Sequence, residues 1–79
     1  MSWNYRIIYY DDDDVHPYYG LHEVFYSKKG KIKFWTKEPE LVGESEDDIR
    51  EQLKMMLKDI KNSSVLIHSD MNFFYTYAK

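Results

Sequence analysis

Histidine and carboxylate side chains are the residues of this chain best suited to acid–base chemistry. His22 and Glu23 are adjacent within a β-prone stretch. Neighbouring residues of a strand point to opposite faces of the sheet, so these two do not form an acid–base pair in a regular strand. We therefore interpret His22 as a histidine at the edge of the core, hydrogen-bonded to a neighbouring strand or loop.

The same residue types also determine whether the chain is expected to hold a metal. His16, His22 and His68 are far apart in sequence, and no pair has the spacing that is typical of zinc ligands. The run Asp11–Asp14 lacks the glycine and the distal glutamate of a calcium-binding loop. There is no cysteine, and the three glycines are too dispersed to cradle a phosphate. We predict no catalytic site, no metal and no cofactor, and hence a protein that is not an enzyme.

Residues 28–37 form a basic and aromatic stretch. Lys31, Lys33 and Trp35 alternate along one predicted strand face, with Phe25 beside them. Lysines interleaved with stacking rings are typical of surfaces that bind single-stranded nucleic acid. Lysines also solubilise hairpin tips and protect edge strands, and the formal net charge of −3 does not favour a general nucleic-acid binder. Nucleic-acid binding is therefore one alternative.

The acidic segments suggest a second alternative. The run Asp11–Asp14 and the segment 38–48 concentrate negative charge. A surface of this kind attracts the protein grooves that bind phosphate, so the chain could act as an acidic nucleic-acid mimic that inhibits a host protein.

Length and composition limit the architecture. With 79 residues, the chain is expected to form one domain spanning 1–79, with a core at 3–67 and an aromatic tail at 68–79. The absence of cysteine excludes disulfides and fits a reducing compartment. No apolar run is long enough to span a bilayer, and no signal peptide is evident. We expect a cytoplasmic protein without a membrane partner.

One amphipathic helix is predicted over residues 45–61. Ser45 is a suitable N-cap, and Asp48 completes a pair that resembles a capping box. Acidic side chains crowd the first turn and lysines the last, as the helix dipole favours. The apolar positions fall on one face. They are Ile49, Leu53, Met56, Leu57 and Ile60.

β-branched and aromatic residues predict strands at 3–10, 18–27 and 31–36, with a shorter apolar segment at 65–67. Lys28-Lys29-Gly30 fits a three-residue hairpin loop with glycine in the left-handed position. This loop would set Tyr26 opposite Ile32 and Phe25 opposite Lys33. Two faces follow from that register. One carries Val24, Tyr26, Ile32 and Phe34, on which the helix would pack; the other carries Leu21, Phe25 and Trp35 between Glu23 and Lys33.

These elements predict an α+β fold in β-β-β-α-β order: a three- to four-stranded antiparallel sheet with one amphipathic helix packed on one face. A single helix leaves the other sheet face open, and open apolar faces usually meet a partner. The uncharged tail at 71–77 is expected to pair with a sheet edge of its own chain or of a partner. The candidate interaction surface comprises Leu21, Phe25, Lys31, Lys33, Trp35, Phe73, Tyr75 and Tyr77.

The pattern of motifs resembles a family of small bacterial and phage proteins. The shared features are a Tyr-Arg strand (Tyr5-Arg6), the segment Gly20-Leu21-His22-Glu23-Val24, a glycine hairpin and the helix start Gly43-Glu44-Ser45. The resemblance covers residues 3–67 and implies the fold, because the family has no assigned activity. The aspartate run and the aromatic tail after Met71 depart from the family pattern.

The order of three strands followed by a capped helix is also similar to HicB-type antitoxin half-domains. That likeness is at the level of the fold and would imply toxin binding. No helix-turn-helix or ribbon-helix-helix segment follows in this sequence. We therefore predict a non-enzymatic phage or mobile-element accessory protein that binds another macromolecule. We expect a homodimer, with a host or phage protein as a possible further partner.

Overall fold

A computed structural model describes residues 2–37, 39 and 41–71 and the backbone of 76–77, and these residues form five strands and two helices. The elements are β1 (Ser2–Tyr10), β2 (Tyr18–Tyr26), β3 (Ile32–Trp35), α1 (Glu46–Lys61), β4 (Leu66–Ile67), α2 (His68–Met71) and β5 (Thr76–Tyr77). The predicted α+β class and the β-β-β-α-β order of its main elements are confirmed.

The strands form one sheet in the order β4-β1-β2-β3-β5. The pairs β1–β2 and β2–β3 are antiparallel, as predicted, whereas β4 is parallel to β1 and β5 is parallel to β3. The sheet is therefore mixed, and the prediction of a purely antiparallel sheet is wrong. Short loops join antiparallel neighbours, but the chain reaches β4 through the long connection that contains α1, and such a connection permits parallel pairing.

The hairpin between β2 and β3 forms as predicted at its tip and differs beyond it. Gly30 has a φ of 80°, and the Ser27 N–H donates to the Lys31 carbonyl over 2.7 Å. Tyr26 pairs with Ile32, but a β-bulge then shifts the register, so that Phe25 pairs with Phe34. Lys33 is the extra residue of the bulge.

That bulge exchanges the faces of the residues that follow it, because side chains alternate along a strand. Trp35 pairs with Val24 and is only 2% exposed. It belongs to the core cluster with Ile8, Val24 and Met71. The predicted placement of Trp35 beside Phe25 on the open face is therefore wrong, and Phe34 takes that place. We call the side of the sheet that carries Ile8, Val24 and Trp35 the core face.

Helix α1 lies along the edge of β1. Its start is capped as predicted, with the Asp48 N–H donating to the Ser45 Oγ. The Asp59 carboxylate accepts a hydrogen bond of 2.9 Å from the backbone N–H of Tyr5. This bond satisfies a backbone donor on the edge of β1. Among the described strands, α1 contacts β1. The prediction that α1 packs on the face formed by β2 and β3 is therefore wrong.

This edge position covers only part of the apolar stripe of α1. Met56 is buried, whereas Leu53 and Leu57 remain 47% and 51% exposed. The core face is instead covered at Ile8 and Trp35 by Met71, the last residue of α2.

Candidate interaction surface

Three aromatic rings form a row across three adjacent strands on the side of the sheet opposite the core. Trp3 of β1 pairs with Phe25 of β2, and Phe25 pairs with Phe34 of β3. The ring centroids of Trp3 and Phe25 lie 6.0 Å apart, and those of Phe25 and Phe34 stack at 4.7 Å. We call these three residues the aromatic row. Trp3 is 42% exposed, so the row is accessible at the surface.

The rest of this side continues the apolar surface toward the other end of the strands. Ile7 pairs with Leu21, and Tyr9 pairs with Tyr19, whose ring stacks on that of Tyr9 at 4.6 Å. We call the surface from the aromatic row to this tyrosine pair the outer face. Within the described part of the chain, α1 approaches the outer face at Trp3 and Tyr5 of β1, and neither helix contacts the part of the face formed by β2 and β3.

Tyr5 is the buried residue of the outer face. It pairs with Glu23, and the Trp3 ring meets its ring edge-on at 5.2 Å. Burial raises the pKa of the Tyr5 hydroxyl, and the carboxylates of Glu23 and Asp59 raise it further. The hydroxyl therefore stays protonated, and this position supplies packing and not a base.

A groove joins the outer face to α1. It has a volume of about 560 Å³ and lies between the rings of Trp3 and Tyr5 and the helix side chains Gln52 and Met55. Its rim carries both signs of charge. The charged residues are Glu51, Lys54 and Lys58. The groove extends the apolar surface of the outer face past the edge of the sheet.

The two ends of the strands carry opposite charges. The β2–β3 hairpin holds Lys28, Lys29, Lys31 and Lys33, all exposed, next to the aromatic row. The β1–β2 loop holds the run Asp11–Asp14 at the other end, next to Tyr9 and Tyr19. The ends are separated by the length of β1, or roughly 26 Å for eight steps of ~3.3 Å. We call them the lysine end and the aspartate end.

Three of the four aspartates hold specific hydrogen bonds. The Asp11 carboxylate accepts from the Ser69 N–H at 3.1 Å and from its hydroxyl at 2.6 Å. Asp12 contacts the His68 ring at 2.8 Å. Asp13 accepts backbone N–H groups within its own loop. The hydrogen bond from the Ser69 hydroxyl lowers the pKa of Asp11.

These contacts give the aspartate run a structural role that sequence reasoning missed. The loop fastens the start of α2 to the sheet, so it is more than a solvated acidic segment. The partners lie more than 50 residues apart in sequence, so no local pattern pointed to them.

His22 is buried on the core face, as its sequence position suggested. Its Nδ1 lies 2.6 Å from the Thr36 carbonyl, which can only accept, so Nδ1 carries the hydrogen. Its Nε2 lies 3.0 Å from the Tyr10 hydroxyl, which is the second hydrogen-bond partner of the ring. The ring links β1, β2 and the end of β3 inside the core.

The structure brings together some of the predicted surface residues and separates others. Leu21 and Phe25 share the outer face, and Lys31 and Lys33 are exposed beside it. Trp35 is in the core, as described above. Phe73 and Tyr75 lie outside the described residues, and of Tyr77 only the backbone is described, which pairs with Trp35.

Trp3 and Phe34 are the two members of the aromatic row that sequence reasoning did not select. The loop of residues 11–17 does not fix the register of β1 against β2, so the position of Trp3 opposite Phe25 was not readable. Phe34 reaches the outer face only because of the bulge at Lys33.

Comparisons with known proteins give no further guide to this surface. No protein-family model matches the chain, and no curated protein or solved structure matches it significantly. The described residues contain no group of three or more histidine, aspartate or glutamate side chains placed to hold a metal ion. Neither described helix combines the length and the apolar character that a membrane span requires.

Proposed function

We propose that this protein is a non-enzymatic binding protein that acts through its outer face, and that its first partner is a second copy of itself. The observation that carries the proposal is the aromatic row, in which Trp3 is 42% exposed and Phe25 and Phe34 lie on strands that contact no described helix. Exposed, contiguous apolar surface of this kind is typical of interaction sites. We further propose that it serves as an accessory protein of phage or mobile-element type in the cytoplasm.

Trp3 and Tyr19, near the two ends of the outer face, are 42% and 67% exposed, so both ends are accessible to a partner. A two-fold homodimer is the commonest way to cover such a surface.

The solution mass tests this proposal. Light scattering from micromolar to several hundred micromolar protein should show a mass approaching twice 9.7 kDa. Phe25→Thr and Phe34→Thr should shift the transition to at least tenfold higher concentration with the fold intact. Leu57→Gln is the matched control, because it removes an exposed apolar side chain of α1 outside the outer face. A wild-type protein that stays monomeric at all concentrations would contradict self-association.

Single-stranded nucleic acid is the second candidate partner, because lysines adjoin the aromatic row. Lys31 and Lys33 lie beside Phe25 and Phe34, and Lys54 and Lys58 border Trp3 across the groove. Stacking of a base on an aromatic ring contributes ~1–3 kcal/mol in proteins of this type. The net charge of −3 and the carboxylate of Glu23 on the same face oppose it.

A labelled oligothymidylate separates the two candidates. Fluorescence anisotropy at low salt should detect binding that Lys31→Glu and Lys33→Glu both abolish, if phosphate is the partner. Unchanged anisotropy at low salt, together with a dimeric mass, would exclude nucleic acid and leave the protein partner.

A further inference from the structure

We propose that the second copy docks on the outer face with its strands antiparallel to those of the first, so that the lysine end of each copy meets the aspartate end of the other. This inference rests on the proposed function, because it requires that the outer face is the self-interface. It adds the direction of docking and the charged contacts that fix it.

The charged side chains of the two ends are opposite in sign. Four lysines (28, 29, 31 and 33) stand at one end of the strands, and four aspartates (11–14) stand at the other, where Asp11 and Asp12 also contact α2. Chain topology separates them, because β1 ends in the aspartate loop, whereas the β2–β3 hairpin returns to the end where β1 begins. These two loops therefore place opposite charges at the two ends of the strands.

Two copies can dock face to face with their strands parallel or antiparallel, and only the antiparallel orientation brings opposite charges together at both ends of the strands. In the parallel orientation, lysines face lysines and aspartates face aspartates, and like charges repel. In the antiparallel orientation, each lysine end meets an aspartate end. A two-fold axis that lies in the plane of the interface and perpendicular to the strands generates this arrangement, and it repeats the same contact twice. The interface closes, so the assembly stops at a dimer.

The apolar residues of the outer face fit the same orientation. Ile7 and Leu21 pair near the middle of the strands and would lie close to the two-fold axis. The aromatic row of one copy would face the Tyr9–Tyr19 pair of the other. Tyr19 is 67% exposed in the single copy, so its ring is available for a partner ring.

The small area of the outer face indicates that the affinity of the dimer depends on its charged contacts. Two strands ~30 Å long and the four-residue β3, ~13 Å long, spaced ~4.8 Å apart, give a flat footprint of roughly 350 Å². This is less than half of the ~800 Å² that each side of a standard interface buries, and the groove beside α1 adds to it. A dimer of this size is expected to be weak and to depend on its charged contacts.

A charge-swap experiment tests the orientation. Lys33→Glu and Asp14→Lys each change the charge by two units, at the lysine end and at the aspartate end. Asp14 is chosen because Asp11, Asp12 and Asp13 hold the loop and α2. Lys61→Glu on exposed α1 is the control with the same charge change. Sedimentation equilibrium at low salt measures the dimer dissociation constant of each variant and of the equimolar mixture.

The expected result is reciprocal. Lys33→Glu and Asp14→Lys should each weaken the homodimer about tenfold, since each dimer contains the altered contact twice. Their mixture should form a heterodimer about as tight as the wild type, because both of its contacts again join opposite charges. Lys61→Glu should leave the dissociation constant unchanged.

Each other outcome has a distinct meaning. A dimeric wild type whose affinity is unaffected by both swaps would overturn the antiparallel orientation and leave the proposed function standing. A mass that rises with concentration without a plateau would also overturn it, because the contact would then be an open head-to-tail one. A wild type that is monomeric throughout would overturn the orientation and the proposed self-association together.

Discussion

Replacement of Trp35 by alanine tests the register of the sheet, on which the location of the interaction surface depends. The sequence alone placed Trp35 with Phe25 on one open face. In the structure Trp35 is 2% exposed and packs in the core cluster, while Phe25 lies half-buried on the outer face. The two substitutions should therefore affect different properties of the protein.

The expected magnitudes differ enough to separate the two arrangements. Truncation of a fully buried tryptophan to alanine costs ~3–5 kcal/mol, because packing is lost and a cavity remains. A domain of 79 residues is stable by roughly 4–12 kcal/mol, so Trp35→Ala removes a large share of the total. Phe25→Ala should cost only about 1 kcal/mol in the monomer, since part of its ring is already in water.

Urea unfolding followed by far-ultraviolet circular dichroism measures these differences at a protein concentration below the dimer transition. Trp35→Ala should shift the midpoint strongly, and Trp35→Phe, which keeps most of the volume, should shift it less. Phe25→Ala should shift the midpoint by less than half as much as Trp35→Ala and lose self-association. If Trp35→Ala unfolds at the wild-type urea concentration and loses the dimer instead, the bulge and the core assignment are refuted.

Three further predictions concern side chains that hold the scaffold. The Ser69 hydroxyl lowers the pKa of Asp11, so the stabilisation from the ionised Asp11 carboxylate is present above the unfolded pKa of 3.8 and is lost as the pH falls further. The melting temperature of Asp11→Asn should therefore fall less on acidification than that of the wild type. Equal falls in the two proteins would contradict the hydrogen bond. His22→Phe removes the donor to the Thr36 carbonyl and should lower the free energy of unfolding in urea by ~1–3 kcal/mol, whereas an unchanged free energy would contradict this hydrogen bond. Ser45→Ala should cost about 1 kcal/mol by the same assay through loss of the α1 cap, with Ser45→Asp as the control that retains it.

Features that depend on neighbouring residues were predictable from the sequence. The helix has its cap at Ser45, and the hairpin has its glycine at Gly30 with the expected Ser27–Lys31 hydrogen bond. His22 is a core histidine as interpreted. In each case the sequence holds the decisive signal within a few residues, through capping chemistry, turn geometry or strand alternation.

Features that depend on distant contacts were not predictable in the same way. A bulge at Lys33 moves Trp35 into the core and Phe34 onto the outer face. The sequence of β3 alone contains no pattern that predicts this bulge. The position of α1 is fixed partly by the bond from the Tyr5 N–H to Asp59, which joins residues 54 apart. The mixed sheet follows from where the chain returns after α1.

Local sequence patterns were sufficient to predict the α+β class, the capped amphipathic helix, the aromatic hairpin and the opposite charges of the Asp11–Asp14 run and the hairpin lysines. The folded sheet was needed to show which aromatic rings share the outer face and that those charges stand at opposite ends of it. The strand ladder explains the difference, because side chains alternate along a strand with a period of two residues. One extra residue in the ladder therefore moves every following ring to the other face, and that shift is set by packing across the sheet.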